Sequence, residues 1–194
     1  MLRNKRFESL EEAESRPKEV RCLWLLGNNI SFRACSRVLR QLTEVREIRL
    51  GWQSWMALPR GLGELGELRS LTVVNTPIQS FPDFLAGCPK LTELVLRDTD
   101  IETIPASIQK FRALRRLDAS NNPLTQISSE LGGMPELRQL ILTEAGLSSL
   151  PDSLRALPRL RRLMLTGNRF SSIEAHRVRG WFRRGVVSVS GSDK

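Results

Sequence analysis

"LRSLTVVNTPIQSFPDFLAGCPK" (68–90) is followed without a gap by "LTELVLRDTDIETIPASIQKFRA" (91–113), "LRRLDASNNPLTQISSELGGMPE" (114–136) and "LRQLILTEAGLSSLPDSLRALPR" (137–159), four consecutive units of 23 residues. A fixed period of this length marks a chain of stacked supersecondary units. The register extends both ways: "VREIRLGWQSWMALPRGLGELGE" (45–67) precedes, "LRRLMLTGNRFSSIEAHRVRG" opens at Leu160, and Val20 opens a 25-residue unit with "VRCLWLLGNNI". Seven units therefore start at 20, 45, 68, 91, 114, 137 and 160.

Within each xLxLx segment successive side chains point to opposite faces. Leu71/Val73, Leu94/Leu96, Leu117/Ala119, Leu140/Leu142 and Leu163/Leu165 thus face inward from short strands. One unit cannot bury its own apolar side, so stacked copies share a continuous core and the two ends need caps. Pro59, Pro82, Pro105 and Pro151 lack the donor that a ladder requires, so the return segment is expected to be extended or 3₁₀-like. The first unit differs, because "SFRACSRVLRQL" places Val38, Leu39 and Leu42 at helical spacing and predicts a true helix.

The shared pattern LxxLxLxxNxLxxLPxxLxxLxx resembles the leucine-rich repeat family, in its 23-residue LxxLP type, over residues 20 to about 182. The resemblance implies an α/β solenoid: a curved horseshoe arc of seven repeats, with short parallel strands on the concave face and a mostly irregular or 3₁₀ convex side. It also implies non-covalent binding of a protein partner through the concave face, with no cofactor. The family's asparagine ladder, in which an amide satisfies buried backbone groups, maps onto Asn28, Asn122 and Asn168. Gln53, Thr76, Thr99 and Ala145 depart from it. Ala145 has no polar group to offer, so local irregularity is expected in the sixth unit beside Gly146.

Outside the repeats (20–168) lie a cap at 1–19 and another at 169–194. Residues 7–15, "FESLEEAES", read as a helix stopped before Pro17, with Phe7, Leu10 and Ala13 on one face. Ser171 and Glu174 have capping-box spacing ahead of "IEAHRVRGWFRR", whose Val178, Trp181 and Phe182 share a helical side. Its Arg177, Arg179, Arg183 and Arg184 are read as a solvated face around aromatics that plug the last coil. After Gly185, "VVSVS" has strand propensity and is a candidate eighth strand, and the final "GSDK" reads as loose.

A chain of 194 residues that is 40% hydrophobic can build one substantial core. Its longest apolar runs, as in "CLWLLG", fall far short of the roughly 20 residues of a membrane span, and "MLRNKRFESLEEAES" lacks an apolar signal segment. A cytoplasmic location is therefore expected. Arginine dominates lysine, which favours a GC-rich, bacterial source. Cys22, Cys35 and Cys88 are odd in number without CxxC spacing, pointing to reduced structural thiols and no zinc site. The net charge of +9 divides into +4 over residues 1–40, −3 over 41–154 and +8 over 155–194.

No reaction chemistry is assignable. His176, the single histidine, has no nucleophile in a recognisable context, and "GLGELG" (61–66) lacks the strand-to-helix setting and the lysine of a phosphate loop, reading as a loose convex turn. Glu47, Glu93, Asp98, Asp118 and Glu144 lie near the exposed strand face without an environment for acid–base work. A non-enzyme with no metal, cofactor or small-molecule substrate is expected.

The stacking register orders the exposed side chains into columns. One runs Trp24, Arg49, Thr72, Val95, Asp118, Ile141, Met164; beside it run Leu26, Gly51, Val74, Arg97, Ser120, Thr143, Thr166, and then Gly27, Trp52, Asn75, Asp98, Asn121, Glu144, Gly167. Exposed tryptophan beside arginine is what interface hot spots favour. The candidate partner site is Trp24, Leu26, Arg49, Trp52, Val74, Val95, Arg97 and Asp118. Trp55, three residues after Trp52, takes an inward leucine position and is expected in the core. An alternative anion site is the row Arg21, Arg46, Arg69, Arg115, Arg138 and Arg161, with Arg162 beside it. Together with the basic C-terminal region it would bind nucleic acid or an acidic membrane surface. Its competing reading has the alkyl stems packed and the heads solvated or paired with neighbours such as Glu47 and Glu93. A bacterial effector, or a regulatory subunit of an enzyme, is a third reading.

Overall fold

The structure, a computed structural model, describes residues 5–27, 30–182 and 186–190. In chain order its elements are β1 (Arg6–Phe7), α1 (Leu10–Ser15), β2 (Cys22–Leu26), α2 (Phe32–Leu39), β3 (Glu47–Gly51), β4 (Ser70–Val74), β5 (Glu93–Arg97), β6 (Thr103–Ile104), β7 (Arg116–Asp118), β8 (Gln126–Ile127), β9 (Gln139–Ile141), β10 (Arg162–Met164), α3 (Ser172–Arg179) and β11 (Val187–Ser188). Among the described residues nine strands form one parallel sheet in the order β1-β2-β3-β4-β5-β7-β9-β10-β11. β6 and β8 form a separate two-stranded parallel pair.

Neighbouring strands pair in the register of the repeat. Leu71 lies beside Leu94, Leu94 beside Leu117, Leu117 beside Leu140 and Leu140 beside Leu163, all fully buried. The return segments are 3₁₀ turns: Arg60–Glu64, Asp83–Gly87, Ala106–Lys110 and Asp152–Ala156 each start right after the proline of their unit, and Ser129–Gly133 follows Ser128. Because 23 residues leave no room for a full helix, this thin side sets the curvature. The first unit's two extra residues hold α2, capped by Ser31 Oγ on the Ala34 N–H at 3.4 Å and burying Val38 and Leu39. No helix among the described residues is long and apolar enough to cross a membrane.

At the end of each concave strand the chain turns through a left-handed residue. Gly27, Trp52, Asn75, Asp98, Asn121, Glu144 and Gly167 have φ between +48° and +85°. These are the third column of the sequence register.

Behind the turn column runs the ladder of polar groups. Asn122 donates from Nδ2 to the carbonyls of Leu96, Ala119 and Ser120 at 2.7, 3.0 and 3.0 Å and accepts the Thr99 N–H at 3.2 Å. Gln53 replaces the amide in the second unit, donating to Gly51 O at 2.8 Å and accepting the Ile30 N–H at 3.1 Å. The sixth unit is irregular in carrying a second left-handed residue, Gly146 at φ +75°, and two of its N–H groups are met from outside it. Asn168 of the next coil accepts the N–H groups of Ala145 and Leu147. Asn28 lies outside the described residues.

The caps refine the sequence expectations. The first helix is shorter than residues 7–15, because Ser9 accepts the Glu12 N–H at 3.1 Å and so fixes its start. Phe7 belongs instead to β1, fully buried at the edge of the first coil. At the other end the Ser171 cap is present, with Oγ 3.2 Å from the Glu174 N–H, but α3 stops at Arg179. Trp181 and Phe182 follow it and pack part-buried against the core. Arg177 is tied to Glu174, Asp152 and the Leu150 carbonyl, and Arg179 to Val189 O. β11 pairs with β10 as the terminal strand. Arg183, Arg184, Gly185 and the tail lie outside the described residues.

"GLGELG" is also tighter than a loose turn. A Cβ on Gly63 would lie 2.4 Å from Phe84 O, and one on Gly87 2.5 Å from Gly63 O, so glycine lets adjacent convex turns touch backbone to backbone.

Candidate interaction surface on the concave sheet

Strand alternation puts three columns on the concave face. They start at Cys22, Trp24 and Leu26. The first, Cys22, Glu47, Ser70, Glu93, Arg116, Gln139 and Arg162, was not among the columns read from the sequence, although the same pairing arithmetic yields it. Arg162 belongs here and not to the arginine row.

In the first coils Trp24 is held on several sides. The guanidinium of Arg6 lies 4.2 Å from its ring centroid and that of Arg49 4.1 Å, reached from the strands that flank β2, while its Nε1 donates to Glu47 Oε1 at 3.2 Å. Glu47 also takes Arg49 Nε at 2.7 Å. Trp24 is therefore a half-buried, immobilised platform with its faces already used.

The open apolar surface lies one column over. Leu26 is 47% exposed and Trp52 56%. Between Leu26 and Val74 stands Gly51, where an added Cβ would lie 3.1 Å from Leu26 Cδ2 and 3.0 Å from Val74 Cγ2. The missing side chain lets the two aliphatic groups close into one strip, and Trp52 borders it, its N–H bonded to Val74 O at 3.1 Å. Trp55 is 7% exposed; its Nε1 donates to Ile30 O at 2.9 Å and it meets Phe32 edge-on at 5.7 Å between centroids. Phe32 and Met56, exposed in the same two coils, escaped the column reading because they lie off the strands.

Two residues of the candidate partner site do not lie open, and Ser120 and Ile141 in the same columns are buried too. Val95 is 7% exposed and Asp118 fully buried. Asp118 instead anchors a network: Oδ2 takes Arg97 Nε and Arg116 Nη2, each at 3.0 Å, while Oδ1 takes Ser120 Oγ at 2.8 Å and the Ser120 N–H at 3.3 Å. With both carboxylate oxygens bonded, the charge is tolerated in a buried setting. Arg116 reaches on to Gln139 Oε1 at 3.3 Å and sits 3.2 Å from Glu93 Oε1. Arg97 and Arg116 stand at one side of an open cleft, Arg162 at the other, with Ile141, Thr143 and Met164 between them.

The arginine row is present as a column of strand starts; the carbonyls of Arg21, Arg46, Arg69, Arg115 and Arg138 each accept two N–H groups of the next coil, Arg21 O those of Arg46 and Glu47. Its electrostatics are uneven. Arg21 pairs with Glu44 at 3.5 Å, and Arg46 and Arg69 both lie near Glu67, whose carboxyl is held below its usual range first by a hydrogen bond from Lys90 and then by these cations. No acidic partner is found among the described residues for Arg115, Arg138 or Arg161. Glu47 and Glu93, expected to neutralise the row, pair with Arg49 and Arg116 instead.

A 25-residue first coil followed by coils of 23, a parallel concave sheet, 3₁₀ return turns and a buried amide ladder define a repeat solenoid with an exposed strand face. The chain belongs to the leucine-rich repeat family: residues 10–187 match the family described as leucine-rich repeat region. Repeats of this family generally serve as protein-interaction modules. A leucine-rich repeat protein of Leptospira interrogans is similar in fold, with a TM-score of 0.65 and 22% identity over 86% of this chain and 54% of its own. Internalin C2 of Listeria monocytogenes has a TM-score of 0.65 and 21% identity over 79% of this chain and 65% of its own. The ectodomain of the Arabidopsis thaliana receptor kinase GASSHO1/SCHENGEN3, solved with CASPARIAN STRIP INTEGRITY FACTOR 2, has a TM-score of 0.62 and 23% identity over 80% of this chain and 22% of its own. This chain thus spans about half the length of the first and less than a quarter of the receptor ectodomain. No curated protein sequence matches significantly.

Proposed function

We propose that this protein is a non-enzymatic scaffold that binds a protein partner through the concave face of its first coils, with Leu26, Trp52 and Val74 as the contact and Trp24 and Arg49 as its fixed border. The observation that carries this reading is the state of Trp52. A bulky residue is held at φ +56°, in a column where glycine serves at both ends, with more than half of its surface open. Left-handed backbone costs a non-glycine residue about 1–2 kcal/mol, and among the described residues neither burial of the ring nor a hydrogen bond of the indole offsets that cost. The plant ectodomain, solved in complex with CASPARIAN STRIP INTEGRITY FACTOR 2, supports reading a solenoid of this kind as a binding surface. A cytoplasmic, bacterial setting is part of the same proposal.

The test is affinity capture from an extract of the source cells with the wild type, Leu26→Asp, Trp52→Gly and a control at Ile173, which is 83% exposed on the C-terminal helix. The scaffold reading expects a protein retained by the wild type and by Ile173→Asp but lost from the two concave variants. Equal retention by all four proteins would sink it.

A second reading keeps the arginine row. Arg138 and Arg161 line an open cleft with Arg159 and the 158–160 segment. Retention on RNA or anionic vesicles at near-physiological salt would promote this reading, and no retention at low salt would remove it.

A further inference from the structure

We propose that the concave face of the later coils is a second contact, a receptor for an acidic segment of a protein partner, separate from the apolar strip. It rests on the scaffold reading and adds the chemistry of what is bound.

Asp118 supplies the positioning. Its buried carboxylate fixes Arg97 through Nε and Nη2 and Arg116 through Nη2, so both guanidiniums stand ordered at the cleft before anything binds. Ordering long side chains is a large part of the entropy lost on association, and here it is met within the fold. Arg97, 46% exposed at its side chain, spends one edge on Asp118 and turns the other outward. Arg162, across the cleft, has no acidic partner among the described residues.

The acidic groups facing this half are few and mostly occupied. Asp98 accepts Asn121 Nδ2 at 2.8 Å, and Glu93 takes Ser70 Oγ at 3.1 Å besides Arg116. Glu144 stands at the far rim in the turn column. Against Glu93, Asp98, Asp118 and Glu144 stand six arginines, three around the cleft and Arg115, Arg138 and Arg161 along the strand starts, an excess of two positive charges.

The arrangement selects a polypeptide over a uniformly charged polymer. Five of the six arginines gather at the strand starts, whereas Asp98 and Glu144 hold the strand ends beside Arg97, so a ligand anionic on every side would be repelled at one rim. Between the rims the half-buried Met164 lines the cleft over the buried Ile141, and the Thr143 hydroxyl beneath has no hydrogen-bond partner among the described residues. A segment with carboxylates along one flank and an aliphatic side chain beside them meets all three.

The probe is a labelled peptide of alternating Glu and Leu, read by fluorescence anisotropy beside a Lys–Leu counterpart and a single-stranded RNA of equal negative charge. Saturable binding of the Glu–Leu peptide is expected, weakened at least about tenfold by Arg162→Glu. Asp118→Asn, which unties Arg97 and Arg116, weakens it several-fold. Trp52→Gly leaves it unchanged while still abolishing partner capture, so the two contacts fail independently. Absence of saturable peptide binding, tighter binding of the RNA, indifference to Arg162→Glu, or loss with Trp52→Gly would each overturn the proposal. Where Asp118→Asn does not fold, the exposed Arg162 variant decides alone.

Discussion

Asn168 Oδ1 accepts the backbone N–H of Ala145 at 3.2 Å, so the coil whose own ladder position is alanine is satisfied from the coil that follows it. The same amide takes the Leu147 N–H and donates to Leu142 O at 2.7 Å and Leu165 O at 2.8 Å. Asn168→Ala strands four buried backbone groups. At about 1–3 kcal/mol for each group that stays unpaired, an overall loss of at least about 3 kcal/mol is expected. Thr76→Ala, which removes a hydroxyl that donates to Val74 O and accepts the Gln53 N–H, should cost less. Urea midpoints compared at constant slope check the order; equal losses would show that the amide is not shared between coils.

Trp52 and Trp55 should respond in opposite directions. Trp55→Ala empties a core site and orphans the Ile30 carbonyl, an expected cost of about 3–5 kcal/mol. Trp52→Gly removes an exposed ring and relieves a left-handed backbone, so stability should hold or rise by about 1 kcal/mol. Paired thermal melts read both changes. A large fall for Trp52→Gly would mean that its indole is structural.

The fold was legible because the repeat register dictates both partners of each concave strand pair from β2 to β10. Leu71, Leu94, Leu117, Leu140 and Leu163 could be stacked on paper. The register says which column a residue joins but not how deep the column sits. Asp118 and Val95 read as open because the register puts them in the outward-facing column of Trp24 and Arg49, whereas both are buried in the folded sheet. The turn column was legible as a column, and its Gly27, Asn75, Asp98, Asn121 and Gly167 are residue types that tolerate left-handed backbone, a signal that Trp52 and Glu144 break. Phe7 was misplaced for a related reason: helical spacing with Leu10 and Ala13 is local, while pairing with Leu23 is not.

Within "GLGELG" the two outer-facing fates of glycine separate. Gly63→Ala drives a methyl into Phe84 O and should destabilise by about 1–3 kcal/mol, because backbone and not a flexible side chain must give way. Gly66→Ala meets nothing within 4 Å and should be neutral or stabilising by about 0.4–1 kcal/mol through the unfolded chain. Denaturant titration of the two single variants is sufficient. Equal effects would return the segment to a loose turn.

Cys35 gives the protein an alkaline limit. It is fully buried in α2, and burial pushes its thiol from 9.0 up to about 12; Cys88 rises to about 11 for the same first cause. In the unfolded chain each thiol loses its proton near pH 9, whereas the folded protein keeps it well above that. The unfolded state then binds fewer protons, so stability is fully present below pH 9 and falls as pH rises towards the folded values. Denaturant stability measured at steps from pH 8 to pH 11 should therefore decline. Cys35→Ala should decline less steeply than the wild type over the same range, after its own constant offset at pH 8. Iodoacetamide at pH 8 should leave Cys35 and Cys88 unmodified until denaturant is added. Identical slopes for wild type and variant, or rapid native labelling of Cys35, would place that thiol outside the core.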